Sequence, residues 1–193
     1  MGSFIETIYD VLFKPKEAMQ YIAEKKLTRQ AVAMFTIGML VPVWALYAGI
    51  KGTAGVPALG IFFILHIIGS FVFWILSAAI LAFIAELAGG RGTPVGLFSA
   101  LGFSHLPRVV VMPLWVIVSL LPAGVQGVFF GIIGVFVVIW TLSLHIIALR
   151  GAYGLSGAKA VLVLMAPLLA LIGTIAAIII FAGSALIHLP FHV

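Results

Sequence analysis

Glu86, Arg91, His105, Arg108, His145 and Arg150 are the side chains whose types and spacing could do chemistry here. Each sits at or near the edge of a long apolar run. A carboxylate, two imidazoles and three guanidiniums gathered in one polar layer could bind an anion or pass protons. Glu86, His105 and His145 also have the right donor types for a metal ion, without a local signature such as paired histidines beside a glutamate. The same residues could instead be structural. In that case Glu86, the sole acidic residue beyond position 24, pairs with Arg108, Arg91 or Arg150, because an unpaired carboxylate near lipid tends to protonate. The arginines would then reach to lipid phosphates. His66 and Ser70 form a second polar feature, with Trp74 and Ser77 on the same helical face. His66 lies roughly 13 Å beyond Pro57 at 1.5 Å per residue, near mid-membrane, as a buried hydrogen-bonded neutral ring or a proton relay.

Catalytic signatures are missing. There is no Gly-x-Ser-x-Gly, no His-Glu-x-x-His, no phosphate loop and no dinucleotide glycine pattern. No aspartate follows Asp10, which removes an intramembrane aspartyl pair. The absence of cysteine removes disulfides, thiolate metal sites and a thiol nucleophile. The expectation is therefore a non-enzyme, with no cofactor and no metal.

Long apolar helices must position these residues. The chain has 193 residues, 64% hydrophobic and 8% charged. A soluble domain carries roughly a quarter charged residues, and so few could not cover a water-exposed surface. A bilayer removes that need, so the fold class expected is all-α, a polytopic membrane protein. Five stretches suit spans: Ala31 to Ile50, Pro57 to Leu87, Leu106 to Leu121, Gly124 to Leu149 and Ala158 to Ile187. The second is long enough to tilt or kink. Residues 1–30 form an amphipathic segment before this five-helix domain of residues 31–193. Phe4, Ile5, Ile8, Val11 and Leu12 recur at helical spacing with Glu6 and Asp10 between, as in a helix lying on a membrane surface. Pro15 opens a second short helix with Ala18, Met19 and Ile22 as its apolar side, and Thr28 is the expected N-cap of the first span. Val95 to Phe103 reads as a short interfacial or re-entrant helix. Leu121 to Gly124 and Gly151 to Gly157 read as connections. Gly127 and Gly131 allow close helix contact, within the chain or between copies.

Net charge is +5. The basic residues are scattered between apolar runs without a basic aromatic stripe, so nucleic acid is not an expected partner. Lys14, Lys16, Lys25, Lys26, Arg29, Arg91, Arg108, Arg150 and Lys159 fall on one side of a five-span chain, and Lys51 alone on the other. That bias puts the N-terminus in the cytoplasm, the C-terminus outside, and His188 and His192 at the outer interface. No cleavable leader is expected within the first 30 residues. The expected location is a prokaryotic plasma membrane. The expected partners are membrane lipids, with other membrane proteins or a second copy as further ones.

Three segments resemble the Yip1 domain family. They are Leu12-Phe13-Lys14-Pro15-Lys16-Glu17-Ala18-Met19; Gly89-Gly90 followed by Leu101-Gly102-Phe103-Ser104-His105-Leu106-Pro107; and Leu149-Arg150-Gly151-Ala152-Tyr153-Gly154-Leu155-Ser156 with Lys159-Ala160 and Ala166-Pro167. The resemblance covers nearly the whole chain in order and implies five spans with a cytoplasmic N-terminus. Eukaryotic relatives bind prenylated small GTPases and shape membranes in vesicle traffic. This chain lacks their long acidic cytosolic arm and is similar to compact prokaryotic members. The leading reading is a membrane protein acting through lipids or partners. The alternative is a small transporter using the polar layer.

Overall fold

The computed structural model describes residues 3–50 and 56–187. Lys51, His188 and His192, with their expected places on the far side, lie outside the described residues. The described chain is helical and contains no strand: α1 (Phe4–Phe13), α2 (Pro15–Lys25), α3 (Thr28–Ile50), α4 (Val56–Leu87), α5 (Pro94–Phe103), α6 (Leu106–Ser119), α7 (Ala123–Tyr153) and α8 (Gly157–Ile187). Among the described residues, Gly60–Leu87, Pro94–Ser119, Ala123–Tyr153 and Gly157–Ile180 are long and apolar enough to cross a membrane, and Thr28–Val43 is a shorter apolar helix. At 32 residues, α4 is about 48 Å long against a hydrocarbon core of about 30 Å.

The ends of α4 and α7 and the starts of α3 and α8 meet α1, α2 and α5 at one end of the bundle. Hydrogen bonds join them there: the Arg91 backbone N–H donates to the Tyr153 carbonyl at 3.0 Å, and the Lys159 side-chain Nζ donates to the Ala88 carbonyl at 2.9 Å. The buried core is concentrated at this end, around Met19, Ile22, Leu97, Leu101, Leu149 and Tyr153. Toward the other end the helices turn apolar side chains outward, among them Ile61, Leu65, Ile132 and Leu168. Such a surface is stable in lipid and not in water.

The N-terminal helices share the core. Ser3 N–H donates to Glu6 Oε2 at 2.6 Å and starts α1. Thr7 and Val11 are buried, Phe4 and Ile8 pack on the core, and the Phe4 ring lies 6.2 Å from that of Phe103. Ile5, Tyr9, Leu12 and Phe13 occupy the opposite face and stay exposed. The apolar stripe read from spacing is therefore two faces with different neighbours. Pro15 opens α2 as expected, and Ala18, Met19 and Ile22 are buried against α5 and α7. Thr28 is not the N-cap of α3. The Leu27 carbonyl accepts the first helical bond, from Ala31, and the Thr28 hydroxyl turns to the Lys26 carbonyl and to Ser99.

Of the interfacial and re-entrant readings of Val95 to Phe103, the surroundings of α5 rule out the interfacial one. Gly96, Leu97 and Ser99 to Phe103 are all buried, enclosed by α2, α3, α4 and α7. Small residues make this possible. A Cβ on Gly102 would stand 2.8 Å from the Ala31 Cβ and from the Trp74 ring. The α7–α8 connection also shrinks, to Gly154–Ser156. Gly151 lies so close to α2 that a Cβ would meet the Gln20 nitrogen at 2.8 Å, and Tyr153 is buried beyond it. Packing carries α7 through residues whose glycines read as loop. It ends where Gly154 takes a φ of 64°.

Candidate functional site

His105 lies at the break between α5 and α6, where Pro107 follows in the first turn of α6. The ring is buried, with its centroid 4.8 Å from Phe35 and 5.9 Å from His145. His105, Arg108, His145, Ser70, Ser77 and Trp74 all line one cavity of about 150 Å³. Three helices and a helix break thus deliver the polar groups: Ser70, Trp74 and Ser77 from α4, His105 from the α5–α6 break, Arg108 from the first turn of α6, and His145 from α7. Phe35 of α3 closes another side.

Hydrogen bonding fixes one tautomer. His145 Nδ1 lies 2.8 Å from the Thr141 carbonyl. A carbonyl only accepts, so Nδ1 carries the proton, and the neutral ring keeps Nε2 as an acceptor. Trp74 is 3% exposed and stacks between Phe35 at 4.2 Å and Phe98 at 3.9 Å. Among the described residues its Nε1–H has no partner, and neither do His105 Nδ1 and the Thr141 hydroxyl. Buried polar groups nearly always have partners, so two orphans lining one cavity, Trp74 Nε1 and His105 Nδ1, mark it as a place for something polar.

Glu86, Arg91 and Arg150 stand elsewhere. Glu86 is exposed at the end of α4 and accepts a hydrogen bond from the Tyr153 hydroxyl at 3.2 Å. No arginine is its partner among the described residues, which corrects the expected ion pair. Arg150 lines a shallow cleft of about 240 Å³ with Lys16 and Gln20. Leu81, Ala82 and Ala85, all buried, separate Ser77 from Glu86 along α4. The expected single layer is thus an inner cluster and an outer rim. The cause is α5, which carries the chain about 16 Å inward, at 1.5 Å per residue, between Pro94 and His105. Glu86 consequently does not join His105 and His145, and no three metal-capable residues converge among the described residues.

His66 lies outside the cavity. It is half-buried and stacks on Phe62 at 6.1 Å, rather than being buried and hydrogen-bonded. Ser70, one turn on, does reach the cavity. Thr141 and Tyr153 carried no charge to draw attention in the sequence. Trp74 and Ser77 were visible there as partners of Ser70 on one face, and that face is the one the cavity uses.

A family model described as the Yip1 domain matches residues 9–180, most of the chain. No curated protein and no solved structure matches it.

Proposed function

The chain belongs to the Yip1 domain family, and from that premise we propose that it acts without catalysis, as a five-span protein that engages lipids of the cytoplasmic leaflet. The observation carrying this reading is α1. One face, Thr7 and Val11 with Phe4 and Ile8, is fixed to the core, and the other, Ile5, Tyr9, Leu12 and Phe13, is bare and apolar. A helix held this way beside spanning helices inserts its free face at the boundary of headgroups and acyl chains. Lys14, Lys16, Lys25, Lys26, Arg29, Arg91, Arg150 and Lys159 belong to the same end of the bundle. Such a basic rim attracts anionic lipids, at about 1 kcal/mol per charge near the surface. Insertion on one side expands one leaflet and favours curvature. The rim also supports a cytoplasmic N-terminus in a plasma membrane.

Permeation is the weaker reading, since buried Ala82 and Ala85 lie between the cavity and the rim along α4. Reconstitution into vesicles of zwitterionic and anionic phospholipids tests the proposal. The intact chain should enrich anionic lipid around itself and produce smaller or tubulated vesicles. Ile5→Ser with Phe13→Ser should reduce the shape change while leaving helix content intact. Vesicle shape and lipid enrichment indifferent to the intact protein would remove the proposal.

A further inference from the structure

We propose that the inner cavity is a binding site for an oxyanion, a phosphate or carboxylate group, held by Arg108 and Trp74. This goes beyond the surface role of α1 and stands without it. The cavity has donors in excess. Arg108 and Trp74 can only donate; the buried indole Nε1 has no hydrogen-bond partner among the described residues, and Arg108 lines the same cavity from an exposed position. The Ser70 and Ser77 hydroxyls add two more donors. No acidic residue lines the space. His145 Nδ1 already serves the Thr141 carbonyl, and His105 Nδ1 is free to donate.

Arg108 is exposed on the bundle surface, where the hydrocarbon of a bilayer makes an unpaired guanidinium costly unless an anion meets it. Glu86, the acidic residue nearest along the helices, is engaged by Tyr153 at the rim. An oxyanion reaching the cavity would supply the charge that its lining lacks. A volume of about 150 Å³ suits a single phosphate or carboxylate group rather than a whole metabolite. Phe73 both lines the cavity and is 73% exposed on the outer surface of α4, so the mouth opens where an acyl chain could lie. The oxyanion can thus be the headgroup of a lipid or a free ion.

Two experimental arms separate these sources. In the first, the protein sits in zwitterionic phosphatidylcholine nanodiscs and inorganic phosphate is titrated in. In the second, phosphatidylglycerol is doped into the discs with no free phosphate. The readout in both is the unfolding temperature across a concentration series, which gives an apparent affinity. A rise in the lipid arm alone assigns a headgroup, and a rise in the phosphate arm assigns a free oxyanion. Arg108→Gln should weaken the affinity about tenfold or more, the worth of a hydrogen bond to a charged group. Arg108→Lys should restore part of it. Trp74→Phe keeps the ring stacked and removes only the donor, so it should weaken affinity while leaving the unliganded unfolding temperature nearly unchanged. The proposal is overturned if the wild type responds in neither arm. It is equally overturned if Arg108→Gln and Trp74→Phe respond as fully as the wild type, since the effect then belongs to the basic rim.

Discussion

Tyr153 and Glu86 tie the end of α7 to the end of α4 through one hydrogen bond of 3.2 Å. Tyr153 is almost wholly buried while Glu86 is exposed, so water competes at the carboxylate and the link is modest. Tyr153→Phe should cost about 0.5–1 kcal/mol. A double-mutant cycle with Glu86→Ala, read by unfolding in mild detergent, should show the two effects to be non-additive. Simple additivity would mean that the pair is not coupled. Charge made Glu86 legible in the sequence and charge suggested its partner, but geometry chose a neutral phenol. Tyr153 was legible only as part of the family-like segment, and its role as a partner was hidden because that glycine-bracketed segment reads as a loop. His105, Arg108 and His145 were legible as a group because ionisable residues in apolar runs are rare enough to be noticed. Trp74 was legible only as a neighbour of Ser70 on one helical face, and Thr141 not at all, since a hydroxyl in an apolar run says nothing until its partner is seen to be missing.

Helix α5 shows how an element of ordinary composition can hold the centre of a fold. Apolar on all sides, it gives no direction to face, which is what burial among four neighbours requires. The sequence separated it from α6 correctly at Ser104-His105-Leu106-Pro107, yet its apolarity suited lipid and protein interior alike. Its small residues carry the packing. Gly102→Ala should destabilise by about 1–3 kcal/mol through overpacking against Ala31 and Trp74. The same change at Gly127 on α7, where nothing lies within 4 Å, should be neutral or stabilise by up to about 1 kcal/mol through helix propensity. Equal responses at the two sites in an unfolding titration would contradict the packing described. For α1, the apolar positions were legible but their division was not. Spacing shows that residues lie on a helix, and only the tertiary contacts show that Ile8 and Val11 face inward while Ile5 and Tyr9 face out.

At the scale of the whole molecule, spanning helices came readily from hydropathy because lipid demands apolar length and internally satisfied backbone. Depth came less readily, since α5 adds a helix whose length displaces His105 and Arg108 inward. The molecule has a packed, basic end and a loosely packed apolar end. An impermeant maleimide should therefore label a single cysteine at Lys14 from one side of a vesicle and one at Leu120, exposed in the α6–α7 turn, from the other. The chain has no native cysteine, so each introduced thiol reports alone. Labelling of both from the same side would break the topology. The sharpest measurement places spin labels at Ile5, Tyr9, Leu12, Glu6 and Asp10 in proteoliposomes and compares collisions with oxygen and with a water-soluble nickel complex. The account predicts oxygen-dominated collisions at Ile5, Tyr9 and Leu12, and nickel-dominated collisions at Glu6 and Asp10. Nickel access at all five would put α1 in water and contradict a lipid-engaging face.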